Sequence, residues 1–516
     1  MEGLVSATLG ELVSRCISIL INKYLTTPPL SKLESLQRLE RMLLRVLITV
    51  DEAEGRCITN QAMLRQLKMM REEMWRGYYM LDIFRYLVHE EGKTKNYQAA
   101  RSLALSISKP GKRAFLSASA TPGEKKLKQM LDTVENVVTS MTEFVVFMKN
   151  YPPICRQPYS MHMLLGKCMF GRQAEMEQVI TFLLQKEPPG EHKLGVLPIV
   201  GQGKVGKTTL VEHVCGDVRV RDHFSQIVLF CGKKSIEGEL CTLRDGGIIK
   251  HRTNSAPYEE KMLVVIELEG DVDEVAWRRL YSSSRSFIPS GSKIIITSRS
   301  ENITRLGSTH ALWLKFLPRE ANWYLFKVLV FGSTDPEEQP KLASIAMEIF
   351  EEFFDLEVFN DFTGPITNSI NIAAFLRANI SIQHWRRILT CVKGNRQRNP
   401  LQLSSVPSDT SRVENKHLYI QRVAKFTQDC VVDSHVRVGL ADEDIPKITM
   451  DDVISGSITP RGRFDVVVWK SHLPPYSSYI TSCEIRESKF MLEGTRAVRG
   501  GRICVNFTRA SFDVVS

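Results

Sequence analysis

No stretch of this sequence reaches the roughly eighteen uncharged apolar residues that a membrane-spanning helix needs. Residues Met1 to Leu25 carry Glu2 and Glu11 among apolar positions and lack the basic n-region of a secretion signal. Those two acids also leave insertion of a first helix into a membrane without support. The 11 cysteines are scattered from Cys16 to Cys504 without a CxxC pair, and an odd count suits free thiols in a reducing compartment, the cytoplasm or the nucleus. The net charge is +10, yet no block of like charges concentrates it, and no zinc finger, RNP-like aromatic strip or basic helix accompanies it. The charge therefore does not argue for nucleic acid as a partner.

What is present is ordinary core-forming material: 516 residues, 43% of them hydrophobic, enough for about two to four domains. In the first 150 residues, Leu36, Leu39, Leu43, Val46, Val50 and Ala53 recur at steps of three and four, which places them on one helical stripe. A second stripe runs through Leu67, Met70, Met74, Tyr78, Leu81 and Phe84, and a third through Leu127, Met130, Val134, Val137, Met141, Phe144 and Met148. With a shorter helix from Leu4 to Leu20, these faces predict a four-helix bundle over residues 1–150, an extended coiled coil joining two molecules being the alternative. Tandem prolines in Tyr151-Pro-Pro-Ile-Cys-Arg-Gln-Pro158 mark a linker over 151–167. Apolar runs then alternate with helical stretches over 168–335: Val196 to Val200, Ile227 to Cys231, Met262 to Leu268 and Lys293 to Thr297. That alternation predicts a parallel sheet covered by helices on both faces. Helices continue over 336–395, and short β-type runs such as Phe464 to Trp469 and Tyr479 to Ile485 suggest a small β-containing unit over 400–516, of unread role.

The sharpest local signal is Gly201-Gln-Gly-Lys-Val-Gly-Lys-Thr208, which fits G-x-x-x-x-G-K-[ST] between an apolar run and the helix-capable stretch Thr209 to Val214. Gly201, Gly203 and Gly206 allow backbone N–H groups, with those of Val205 and Thr209, to turn toward a phosphate at a helix N-terminus. Lys207 would reach the β- and γ-phosphates, and the Thr208 hydroxyl would ligate Mg²⁺. Pro198 inside the supposed strand favours the plainer possibility of a surface turn, because proline removes a ladder donor. A nucleotide hydrolase of this kind needs a carboxylate on a neighbouring strand end, and Leu263-Val-Val-Ile266 ends in Glu267 and the apolar Leu268. Glu269, Asp271 and Asp273 follow closely enough to compensate. Arg299 closes the strand Gly291-Ser-Lys-Ile-Ile-Ile-Thr-Ser-Arg299, where it could sense a γ-phosphate or be a surface arginine. His213 and His223 have no ligand-spaced partner.

The order of these motifs resembles plant coiled-coil NB-ARC resistance proteins of the STAND class of NTPases. Phe170-Gly-Arg-Gln173 looks like that family's entry motif; Gly201 to Leu210, Val218 to Phe230, Met262 to Trp277, Gly291 to Arg299 and Leu312 to Phe331 are similar to its successive segments. The resemblance implies that Gly171 and Arg172 join the nucleotide site, that Thr208 and Glu267 hold Mg²⁺, and that Arg299 is a sensor. It also implies ADP or ATP as ligand and a helical bundle that engages protein partners or self-associates. The chain departs from the family at Lys204, where glycine is usual, at Glu267-Leu268 in place of two aspartates, and at Gly364-Pro-Ile-Thr367 in place of Gly-Leu-Pro-Leu. Trp75 to Leu87 keeps only Asp82 of the family's acidic bundle motif, and the tail shows no leucine-rich repeat period.

These features predict an ADP/ATP-binding switch in plant defence signalling with weak or absent hydrolysis. A second possibility is a nucleotide-binding-impaired interaction partner or decoy for full-length resistance proteins. A phosphotransferase fits least, since no lid or acceptor-activating Asp is visible.

Overall fold

The computed structural model describes residues 32–56, 58–87, 122–152, 170–185, 194–232, 248–252, 261–268, 271–332, 334–354, 364–399, 417–433, 437–439, 445–470 and 478–488. The helix expected from Leu4 to Leu20, most of the linker and the acid at Glu269 lie outside them. The chain divides into two compact units, Met1–Met347 and Glu348–Ser516.

In the first unit, three long helices pack together: α1 Lys32–Glu54, α2 Gln61–Asp82 and α3 Pro122–Met148. Asn60 caps α2, accepting from the backbone N–H groups of Ala62 and Met63, so the short turn after α1 folds α2 back on it. Arg38 pairs with Glu135 at 2.7 Å, and Arg56 donates to the Tyr151 carbonyl at 2.9 Å, so α1 and α3 run in the same direction. The first two stripes are the buried faces, with Leu39, Leu43, Val46, Leu67, Met70 and Met74 in the core. The third is buried at Leu127, Val134, Met141, Phe144 and Met148 and is wider than the spacing predicts. Leu131, Val138 and Val145 are buried while Met130 and Val137 are half-exposed, because α3 packs against both α1 and α2 and needs a wider apolar face.

Past α4, Gln173–Leu184, the chain builds a six-stranded sheet in the order β3-β2-β4-β5-β1-β6. The strands are β1 Gly195–Gly201, β2 Gln226–Gly232, β3 Ile248–Arg252, β4 Met262–Leu268, β5 Lys293–Ser298 and β6 Leu312–Leu314. All neighbours pair in parallel except β3, which closes one edge antiparallel to β2. Alternation along the strands explains their continuous apolar runs. Leu197, Ile199, Leu263, Val265 and Ile295 face α4 and the helices α5 Lys207–Gly216 and α6 Val218–His223. Val196, Val200, Val264, Ile266 and Ile294 face α7 Glu274–Phe287, through Trp277 and Leu280. Pro198 is tolerated in β1 because pairing with β6 starts only at Ile199. The Ser308 hydroxyl and N–H serve Val196 on that side, so no ladder partner waits for the missing proline N–H.

Helix α8, Arg319–Phe331, follows β6, and α9, Pro340–Phe354, carries the chain into the second unit. There α10 Pro365–Ala378 starts at Gly364, and α11 Ile382–Arg398 buries Trp385, whose indole N–H donates to the carbonyls of Leu376 and Asn379. The strands β7 His417–Gln421, β8 Gln428–Asp433, β9 Arg437–Gly439, β10 Arg463–Lys470 and β11 Ser478–Glu487 form an antiparallel sheet. A short helix, α12 Met450–Ser455, covers one of its faces with Met450 and Val453. Arg398 and Asp429 form a buried ion pair at 2.9 Å in this unit.

Candidate functional site

The carboxyl ends of β1, β5 and β4 lie side by side, since Ile199 and Glu267 both register with Thr297. Open parallel sheets place ligands at this edge, where loops leave the strands toward helices. The loop from Gly201 to Gly206 crosses it and feeds α5, whose first residue is Lys207. Gly206 caps the helix at φ +97°, a conformation that β-carbon-bearing residues avoid. A Cβ at Gly201 would stand 2.5 Å from the Leu314 carbonyl oxygen, and one at Gly203 would stand 3.2 Å from the Arg299 guanidinium. The two glycines thus let the backbone lie against β6 on one side and Arg299 on the other.

Within this cradle the Lys207 ammonium, in a residue only 8% exposed, donates to the carbonyls of Gly201 at 2.7 Å and Gln202 at 2.9 Å. Burial pushes it down to about 8, the nearby Arg299 charge pushes the same way, and Glu267 opposes both. The Thr208 hydroxyl donates to Glu267 at 2.9 Å. A hydroxyl held by its proton toward a carboxylate keeps its oxygen lone pairs for a cation. Val205 is buried under the loop, Thr209 is half-buried on the first turn of α5, and Arg299 is exposed directly after β5. The structure therefore brings together all of the sequence-predicted loop residues with Glu267 and Arg299.

Two acids after β4, Asp271 and Asp273, do other work. Asp273 accepts from the Ala276 N–H at the start of α7, and Asp271 accepts from the Ser300 hydroxyl. Leu268 is buried among Val264, Ile266 and Trp277. Among the described residues at this edge, Glu267 is the carboxylate that faces the loop. Gly171 and Arg172 sit one layer away: the Arg172 guanidinium is shared between Glu175 and the Lys315 carbonyl, one residue beyond the strand partner of Gly201. His213 is buried in α5, and the ring of His223 packs edge-on against Phe224 at 4.9 Å.

Sequence reasoning missed a polar and aromatic seam between α2 and the sheet domain. Asp82 accepts from the Trp323 indole N–H at 2.8 Å and pairs with Lys327 at 2.6 Å, both on α8. Trp75 stacks on Phe170 at 5.1 Å, and Tyr78 meets Tyr324 at 6.0 Å. Lys68 pairs with Glu175 at 2.7 Å, and Arg71 donates to the Gly171 carbonyl at 3.0 Å. The retained Asp82 and the cations of α2 were the available signals, but their partners lie between 100 and 245 residues away.

The strand order, the glycine-lined loop and the helix behind it define a P-loop NTPase-type α/β domain, preceded by a helical bundle. No family model matches the chain. It is similar to disease resistance protein RGA2 of Solanum bulbocastanum, 27% identical over 199 residues, 36% of this chain and 20% of that protein. It is also similar to disease resistance RPP13-like protein 4 of Arabidopsis thaliana, 22% identical over 289 residues, 51% of this chain and 32% of that protein. RPP13-like protein 1 of the same plant is 22% identical over 379 residues, 69% of this chain and 34% of the relative. The motif-order resemblance to plant disease-resistance proteins is therefore matched by curated relatives, of whose length this chain spans between a fifth and about a third.

Proposed function

We propose that the chain is an ADP- or ATP-binding switch in plant defence signalling, with hydrolysis weak or absent. One observation carries the reading: Lys207, Thr208, Glu267 and Arg299 converge on a glycine-lined loop at the carboxyl edge of the sheet. Backbone N–H groups and Lys207 would hold the phosphates, and Thr208 with Glu267 would hold Mg²⁺, which supplies charge neutralisation at the β- and γ-phosphates when bound. Hydrolysis needs a second group to orient the attacking water, and that position is the buried Leu268. Binding without fast turnover follows.

A switch also needs an element whose equilibrium the ligand biases. The α2 seam is suited to that work. Charged groups lie in it beside the rings, and Nε of Arg71, Nε of Arg172 and Oε2 of Glu175 are buried without a hydrogen-bond partner. Release of the bundle would then free it for protein partners or self-association. The buried Leu268 equally favours a second reading, a nucleotide-binding-impaired partner or decoy for full-length resistance proteins. Calorimetric titration with ADP tests both. Measurable affinity abolished in Lys207→Ala is expected of the switch, whereas an unaltered chain that neither binds ADP nor carries nucleotide through purification belongs to the decoy.

A further inference from the structure

Helix α11 carries Arg386, Arg387, Lys393, Arg396 and Arg398 and no acidic residue in its 17 positions. Three of these cations are matched by carboxylates of neighbouring elements. Lys393 pairs with Glu348 at 3.1 Å, Arg396 with Glu352 at 3.2 Å, and the buried Arg398 with Asp429 at 2.9 Å. Arg386 and Arg387 have no carboxylate partner among the described residues. Both line an open groove of about 440 Å³ between α11 and the turn that joins β7 to β8, together with Ile382, Gln383, Thr390 and Phe426. The α11 members recur at helical spacing, so one face of the helix forms one wall and Phe426 the other. Arg387 lies over the Phe426 ring at 5.4 Å and donates to the Val423 carbonyl at 3.2 Å, which fixes its guanidinium at the groove. Ile382 is exposed and Phe426 half-buried, so the groove also offers apolar surface to solvent.

A helix whose other cations are neutralised by the fold, and whose unneutralised pair lines one groove, presents a surface complementary to carboxylates. The apolar wall beside that pair calls for an apolar group in the same ligand. A nucleic-acid backbone needs a run of cations, and an anionic membrane surface about four to eight of them. Beyond Arg387, the cations of α11 are already held by Glu348, Glu352 and Asp429. We propose that this groove docks a short acidic segment of a partner protein, with carboxylates on Arg386 and Arg387 and one apolar side chain against Ile382 and Phe426. Docking there requires nothing of the phosphate loop.

Fluorescence anisotropy of the full chain with a fluorescein-labelled peptide alternating glutamate and leucine tests the docking. A dissociation constant on the order of tens of micromolar is expected, weakening as salt rises. Arg386→Gln and Arg387→Gln should each weaken binding about five- to tenfold, whereas Lys393→Gln, on the same helix but away from the groove, should change it less than about twofold. Arg386 is exposed, so Arg386→Gln should melt with the parent and its loss of binding is read on a folded chain. Failure of the peptide to bind overturns the proposal, as does binding that the double replacement of Arg386 and Arg387 leaves unchanged. A glutamate–glycine peptide that binds as tightly overturns it too, since the apolar wall then contributes nothing. Tighter, arginine-dependent binding of polyuridylate or of phosphatidylserine vesicles would overturn it in favour of a nucleic-acid or membrane surface.

Discussion

Lys207 points its ammonium into the loop that carries it, satisfied by the carbonyls of Gly201 and Gln202 and desolvated by its neighbours. Burial and Arg299 lower its titration from the ordinary 10.5 to about 8. For a cation with a depressed folded value, the folded state carries the cost of the charge below about 8. That cost is relieved as pH rises from there toward the unfolded value, so this group makes the fold more stable across that window. A bound phosphate reverses the environment and restores the charged form. ADP binding should therefore take up a proton above pH about 8 and none near pH 7, with affinity falling as pH rises. Calorimetry in buffers of different ionisation heat at the two pH values measures the uptake, and an affinity flat across the range would contradict the buried-cation account. The loop residues were legible because their chemistry is local, eight consecutive positions with a strand before and a helix after. Glu267 was legible as a strand-end acid. The diversion of Asp271 and Asp273 to Ser300 and to α7 was not, since acids after a strand look alike until their partners are placed.

Among the elements, α2 does two jobs with two faces. Leu67, Met70 and Met74 bury the apolar stripe in the bundle, while Arg71, Trp75, Tyr78 and Asp82 reach the sheet domain. Asp82 is buried, its side chain 3% exposed, against a Lys327 side chain that is 17% exposed. Replacing it with alanine leaves the Trp323 indole N–H and the Lys327 ammonium without their acceptor, which should cost about 2–4 kcal/mol. Chemical denaturation of Asp82→Ala measures the loss, and hydrogen exchange should show α2 and α8 opening together. A variant as stable as the parent would mean that the ring contacts of Trp75–Phe170 and Tyr78–Tyr324, with Lys68–Glu175 and Arg71–Gly171, hold the seam without Asp82. Periodicity predicted the helices and their inner stripes. It misplaced part of the α3 stripe, because a helix packed between two neighbours buries residues that a single-stripe template assigns to the rim.

For the molecule as a whole, the division at Met347, which falls within α9, is expected to show as two cooperative transitions rather than one. A ligand that binds only the folded first unit stabilises that unit by about 2.7 kcal/mol at a hundredfold excess over its dissociation constant. In differential scanning calorimetry, ADP should therefore raise one transition by about 2–4 °C and leave the other in place. Arg398→Met, which strands the buried Asp429, should lower only the transition that ADP does not move. A single transition that shifts as a body under both perturbations would show that the units unfold together.

The sequence by itself determined what depends on near neighbours: three amphipathic helices, the alternation that makes a covered parallel sheet, and the loop built to curl around an anion. Each is a matter of spacing within about twenty residues, where hydrophobic period and glycine placement act directly on the backbone. Only the tertiary structure decided which acids face the loop, that Pro198 falls where β1 lacks a ladder partner on its β6 side, and that Lys204 holds a left-handed conformation after Gly203, which backs onto Arg299. It alone joined Asp82 to Trp323 across 241 residues, since a contact of that separation is chosen by how whole elements pack and leaves no period in the chain.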